Sequence, residues 1–261
     1  MTRQIVFLHG AWVTPRCWDQ MRGWFEAKGY ECLAPAWPGK DRTVEEIRQD
    51  PSALKGLGIA EIVASYEKVI RGLDEPPILI GHSFGGLFTQ ILLDRGLGAI
   101  GVAIDPAPPK GVFSFEPSAY RSLLGVLITP LGWRRVVHWK FANFQYAFVH
   151  TLSDADARAA YNTQVTPETG RIFFQAALAP FSPGSPAKVN FKNAGRPPLL
   201  IIGGQADHIV PAKLVKRTVR KYAKAGAPVQ YREFEGRTHW LIAQDGWQEI
   251  AGAIEAFIEK V

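Results

Sequence analysis

The residues most able to do chemistry form one short run, Gly81-His82-Ser83-Phe84-Gly85-Gly86, directly after the apolar stretch Ile78-Leu79-Ile80. Glycines two positions either side of a serine predict a sharp strand-to-helix turn. The serine backbone is strained there, and any side chain two residues away would collide. The helix expected next, "GGLFTQILLDRGL", points its free N–H groups and partial positive charge at the same spot. Ser83 is therefore a candidate nucleophile held out at the carboxyl edge of a sheet, where α/β sheets take ligands.

A serine hydroxyl attacks poorly unless a base removes its proton, and histidine has the right pKa for the work. Of six histidines, His82 adjoins the serine and is expected to point away and pack. His9 belongs to the first strand–loop junction, His138 and His150 to an irregular middle segment, and His208 follows an aspartate too closely to face it. His239, in "EGRTHW", falls in the loop after the last expected strand and before the final helix, on the Ser83 edge. A carboxylate must orient the imidazole and stabilise its cation. Asp207 in "GGQADHIVP" and Asp105 in "AIDPAP" both follow strands on that edge. The order serine, acid, histidine along the chain favours Asp207, with Asp105 the competitor. An oxyanion would need two N–H donors. Phe84, next to the serine, is one. The loop "HGAW" (9–12) offers the other from Ala11, with Trp12 in reserve.

Around these residues, short apolar runs alternate with helical patterns. Strands are expected at 4–10, 30–35, 76–82, 99–107, 197–204 and 229–235. Between 59 and 73, Ile59, Ile62, Val63, Tyr66, Val69, Ile70 and Leu73 keep a 3.6-residue period. The alternation predicts an α/β fold, a mostly parallel six-stranded sheet with helices on both faces. Residues 38–58 are polar and read as a surface connection with a short helix. Residues 111–191 break the rhythm, show no clear strand and hold 14 of the 30 aromatic residues. They read as a mainly helical insertion, with 1–110 and 192–261 forming the core domain.

With these residues assembled, the chain resembles the α/β-hydrolase-fold serine hydrolases, through "FLHGAW" (7–12), "GHSFGG" (81–86), "GGQADHIVP" (203–211) and "GRTHW" (236–240). The resemblance spans nearly the whole chain and makes 111–191 the family's variable cap. It implies Ser83 as nucleophile, His239 as general base, Asp207 as its partner, and Ala11 with Phe84 as oxyanion donors. The chain opens on its "HG" strand without the antiparallel hairpin of many relatives, as smaller esterases and hydroxynitrile lyases of the fold do. A serine, not an aspartate, at the nucleophile position argues against dehalogenase or epoxide hydrolase chemistry.

The function expected is cleavage of carboxylic esters with small to medium apolar groups, through an acyl-enzyme and without metal or cofactor. Lyase, cofactor-free oxygenase or lactonase chemistry on the same residues is the alternative, and a non-catalytic small-molecule receptor a third. Trp12, Phe84, Trp139 and Phe144 are expected against substrate, although aromatics in such an insertion pack first. The net charge of +6 concentrates in 212–224. There Lys213, Lys216, Arg217, Arg220, Lys221 and Lys224 alternate with an apolar stripe, a pattern read as a solvated helix face and not a nucleic-acid site. No apolar run reaches the length of a membrane span, and the start of the chain leaves no room for a signal peptide. With only Cys17 and Cys32, a reduced cytoplasmic protein is expected, as monomer or homodimer.

Overall fold

A computed structural model describes residues 3–223 and 229–261, so Lys224 lies outside the described residues. Among the described residues, eight strands and ten α-helices follow in chain order: β1 (Gln4–Leu8), α1 (Asp19–Glu26), β2 (Glu31–Leu33), α2 (Val44–Gln49), α3 (Ile59–Ile70), β3 (Ile78–His82), α4 (Phe84–Asp94), β4 (Ile100–Ile104), α5 (Pro117–Leu127), β5 (Val136–Val137), α6 (Phe141–Phe148), α7 (Asp154–Gln164), β6 (Glu168–Thr169), α8 (Arg171–Ala177), β7 (Leu199–Gly204), α9 (Ala212–Ala223), β8 (Val229–Phe234) and α10 (Trp247–Ile258). Six strands form one sheet in the order β2-β1-β3-β4-β7-β8, every neighbouring pair parallel. β3, β4 and β7 are buried along their whole length. Parallel strands of that kind need a helical layer on each face.

The strand order reverses direction between β1 and β3. Loops leaving their carboxyl ends diverge there and open a crevice. The 9–12 loop follows β1 and Ser83 follows β3, so the two flank that crevice. Behind it, α4 is buried on all sides from Phe84 to Leu93, and only its start reaches the crevice.

The basic stretch folds as α9. Its Leu214, Val215 and Tyr222 are buried, while Lys216 pairs with Glu233 at 2.6 Å and Arg217 with Glu116 at 2.7 Å. A solvated, partly paired face is what the pattern implied. Cys17 and Cys32 are both free thiols, and among the described residues no helix is long and apolar enough to cross a membrane.

Three expectations need correction. Residues 111–191 are not free of strand, because β5 and β6 pair antiparallel through Val136–Thr169 and Val137–Glu168. Two-residue strands so far apart in sequence leave no alternation to read. The second strand is only Glu31–Leu33, since Pro35 has no N–H for a ladder. Residues 38–58 do carry a short helix, α2, closed by a Thr43–Glu46 capping box. They are more than a surface connection, however, because Lys40 from this stretch is buried.

Candidate active site

The site begins with a backbone that only its neighbours can hold. Ser83 has φ 57° and ψ −119°, a conformation that costs a non-glycine residue about 1–3 kcal/mol. The turn closes because Gly81 and Gly85 have no side chains. A Cβ on Gly81 would come within 2.1 Å of the Gly85 carbonyl oxygen, and one on Gly85 within 1.9 Å of the Leu8 carbonyl oxygen. Two further residues on the same edge take left-handed backbones, Trp12 (φ 63°) after β1 and Asp105 (φ 39°) after β4.

Asp207 and His239 are brought together. His239 Nδ1–H donates to Asp207 Oδ2 at 2.5 Å, with both side chains fully buried. The second oxygen, Asp207 Oδ1, accepts the backbone N–H groups of Ile209 at 2.7 Å and Val210 at 2.8 Å. The carboxylate is thereby fixed and the tautomer set: Nδ1 carries the proton and Nε2 keeps a lone pair. His239 Nε2 is buried and has no hydrogen-bond partner among the described residues. The Ser83–His239 hydrogen bond is therefore not formed in this arrangement. Such bonds commonly tighten only when substrate binds.

His82 does not point away as expected. Its ring lies 4.5 Å from that of His239, and its Nε2–H donates to the His239 carbonyl at 2.8 Å. That bond anchors the 239 loop to β3. Burial, and then the charge of a protonated His239, push His82 well below its usual 6.5, so it is a neutral strut. Phe148 from α6 packs edge-on against the His239 imidazole at 4.5 Å between centroids. His9 is also a strut. Its Nδ1–H donates to Gly10 O at 2.9 Å and its Nε2 accepts Trp37 N–H at 3.2 Å. His208 stacks on His150 at 3.7 Å.

Asp105, the rival acid, makes no hydrogen bond to His239. It is fully buried, and its Oδ1 accepts Gly204 N–H at 2.7 Å. Burial, followed by the neighbouring Asp207 charge, drives its pKa well above 3.8. Both effects favour the protonated form of Asp105, and its second oxygen, Oδ2, is buried without a hydrogen-bond partner among the described residues. Atoms of His82, Asp105 and His239 lie within 4.8 Å of one another. His82 Nδ1, Asp105 Oδ2 and His239 Nε2 have no hydrogen-bond partner among the described residues, while burial disfavours the ionised Asp105 that a cation would need.

The donor assignments separate cleanly. Trp12 N–H is occupied by Glu168 Oε2 at 3.0 Å, which removes the reserve donor. Ala11 N–H has no acceptor among the described residues, and Phe84 N–H opens α4, where helix geometry leaves it unpaired. Gly10 brings the loop against the serine: a Cβ there would touch Ser83 Cβ at 2.8 Å.

A cavity of about 300 Å³ opens at this point, lined by Ala11, Trp12, Ser83 and Phe84 on the core side. Ala119, Leu123 and Leu127 of α5, Phe173, Ala176 and Ala177 of α8, and Phe181 supply most of the opposite wall. None of the lining residues carries a charge. Trp139 and Phe144 do not line it, contrary to expectation. Trp139 stacks flat behind Trp12 at 3.6 Å, and Phe144 is buried against Phe148 and Tyr161. Sequence reasoning followed the aromatics, but much of the wall is aliphatic and small. It also missed Lys40 and Glu168, whose partners are far apart in the chain.

Ser83, the His239–Asp207 pair and the Ala11 and Phe84 N–H groups are of the types that acyl transfer would need, and Ser83, Ala11 and Phe84 line the uncharged cavity. A search of the curated proteins finds no relative. Among solved structures, similarity is found to the monoacylglycerol lipase of Paleococcus ferrophilus (21% identity, TM-score 0.66, covering 99% of this chain and 95% of that one). It is also found to an extracellular alpha/beta-hydrolase from a Paenibacillus species (20%, 0.68, 96% and 97%) and to tomato methylketone synthase I complexed with 2-tridecanone (14%, 0.71, 100% and 99%). These identities speak for the fold alone. The model of the alpha/beta hydrolase family matches residues 5–253, nearly the full length, and the chain belongs to that family.

Proposed function

We propose that this chain is a serine hydrolase that cleaves carboxylic esters of small to medium apolar substrates through an acyl-enzyme, with 111–191 acting as a cap over the site. The observation that carries the reading is the buried 2.5 Å bond from His239 Nδ1–H to Asp207. It leaves the Nε2 lone pair of His239 as a base on the same sheet edge as Ser83.

Substrate enters the uncharged cavity with its carbonyl carbon over Ser83 Oγ. The hydroxyl turns toward His239 Nε2, which takes its proton as the C–O bond forms. The carbonyl electrons move onto oxygen, and the Ala11 and Phe84 N–H groups stabilise the resulting anion. Imidazolium, held by Asp207, protonates the departing alkoxide. Water then attacks the acyl-enzyme by the same route and releases the acid. The uncharged lining selects against ionised acyl groups, because a charge desolvated there would lack a partner. A monoacylglycerol lipase among the similar folds, and another seen with 2-tridecanone, are in keeping with an apolar ester.

The test is a panel of p-nitrophenyl esters of increasing chain length alongside lactones, run on wild type and Ser83→Ala. Esters should turn over and Ser83→Ala should lose several orders of magnitude in kcat. Since the cavity is about 300 Å³, kcat/KM should rise and then fall along the series. Full esterase activity in Ser83→Ala refutes the proposal.

A further inference from the structure

We propose that Glu168, with Lys40 as its counterion, is a positioning residue that sets the oxyanion donor of the 9–12 loop by gripping the Trp12 peptide. The inference rests on the ester-hydrolase reading above.

Trp12 sits in a left-handed backbone without being glycine, so something must hold it. Both of its backbone polar groups are held by the insertion. Its N–H donates to Glu168 Oε2 at 3.0 Å, and its carbonyl accepts Thr166 N–H at 2.8 Å. The 11–12 peptide is joined to the 10–11 peptide carrying Ala11 N–H only through the φ and ψ of Ala11, so holding the first narrows the directions open to that N–H. It also prevents Trp12 N–H from competing for the anion.

The lysine completes the grip. Lys40 Nζ reaches Glu168 Oε2 at 2.7 Å, Val13 O at 3.1 Å and Thr166 Oγ1 at 3.0 Å. All three ammonium protons are placed. Glu168 Oε1 accepts Thr169 N–H at 2.8 Å, and both charged side chains are fully buried. A buried ion pair is seldom worth more to stability than an apolar pair of the same volume. Its distinct effect here is directional. It stations an acceptor opposite one peptide N–H beside the nucleophile, and it ties that loop to the segment covering the site.

The experiment compares two charge-free double variants, Lys40→Met with Glu168→Gln and Lys40→Met with Glu168→Leu. The first keeps an acceptor for Trp12 N–H and the second removes it. Readouts are kcat and KM on p-nitrophenyl butyrate and the inhibition constant of an alkyl trifluoromethyl ketone, whose adduct with serine carries the oxyanion. The Leu variant should fall about 100-fold below the Gln variant in kcat, the scale of one misaligned donor. Ketone affinity should fall in step, and KM should stay within about threefold. Should the Leu form not fold, Glu168→Ala against Glu168→Gln in the otherwise unchanged chain reads the same ratio. Equal kcat and equal ketone affinity in the folded pair overturn the inference. A Ser83→Ala control separates the two claims. If it is inactive while the ratio is one, only the positioning role falls; if it is active, the hydrolase reading falls and takes this inference with it.

Discussion

Replacing Asp207 by Asn should cost about 10⁴-fold in kcat, and the hydrogen bonds around this residue say why. Oδ1 accepts two backbone N–H groups, from Ile209 and Val210, while Oδ2 accepts one proton from His239. Asparagine has one acceptor oxygen and one NH₂ group. Turning the NH₂ toward the loop would set it against two donors; turning it toward His239 sets it against one. The second placement wins, and it forces His239 to receive a hydrogen bond at Nδ1. The ring proton then moves to Nε2, where the lone pair for Ser83 should be. The loss expected from a wrong tautomer in such a serine–histidine–acid arrangement is about 10⁴-fold, or about 5.4 kcal/mol of transition-state stabilisation. The variant differs by one isosteric atom and should melt close to wild type. KM should move little, since Asp207 does not line the cavity. The assay is steady-state hydrolysis of p-nitrophenyl butyrate at pH 7.5, with circular dichroism as the folding control. A folded Asp207→Asn with kcat within tenfold of wild type would show that the His239 tautomer is not what this carboxylate controls.

Two further outcomes concern stability. Asp105 ionises near 3.8 when unfolded and well above that when folded, so above pH 3.8 the folded chain holds the extra proton and stability falls as pH rises, by about 1.4 kcal/mol per unit. His9 and His82 are both pushed well below 6.5 by burial, so below that pH the unfolded chain takes up protons the folded one refuses, and stability falls as pH drops. Urea melts should therefore lose stability toward both acid and alkaline pH. Asp105→Asn, which keeps an acceptor for Gly204 N–H, should lessen the fall as pH rises; an unchanged dependence would mean Asp105 is ionised in the fold. Gly85→Ala, which would drive a methyl group to 1.9 Å from the Leu8 carbonyl, should cost more than about 3 kcal/mol or prevent folding; a variant with wild-type Tm would contradict the turn geometry.

What was legible in the sequence was what local pattern controls. Gly81 and Gly85 announce a tight turn because no other residue fits, and the buried strands announce themselves as apolar runs. His239 and Asp207 were found by asking which side chains follow strands on one edge, and the fold joins them. The rest depends on contacts between distant segments. Nothing near Lys40 in "PGKDR" or Glu168 in "PETG" marks them as a pair, since the partners are separated by most of the insertion. Trp139 and Phe144 were expected in the cavity because aromatics are conspicuous. They serve instead as backing for Trp12 and as core. The wall was left to Leu123, Leu127, Ala176 and Ala177, whose spacing along α5 and α8 looks like any amphipathic helix. Asp105 and Asp207 could be ranked from chain order, but the raised pKa of Asp105 follows only from its burial beside Asp207.

The most direct measurement treats the protein with an alkyl phosphonate that carries a good leaving group, then maps the adduct by mass spectrometry while following p-nitrophenyl ester hydrolysis. One adduct is expected, on the peptide holding Ser83, with activity lost in proportion to labelling and labelling slowed by orders of magnitude in His239→Ala. Ester hydrolysis that persists after complete modification of Ser83, or that disappears with Ser83 unmodified, would contradict it.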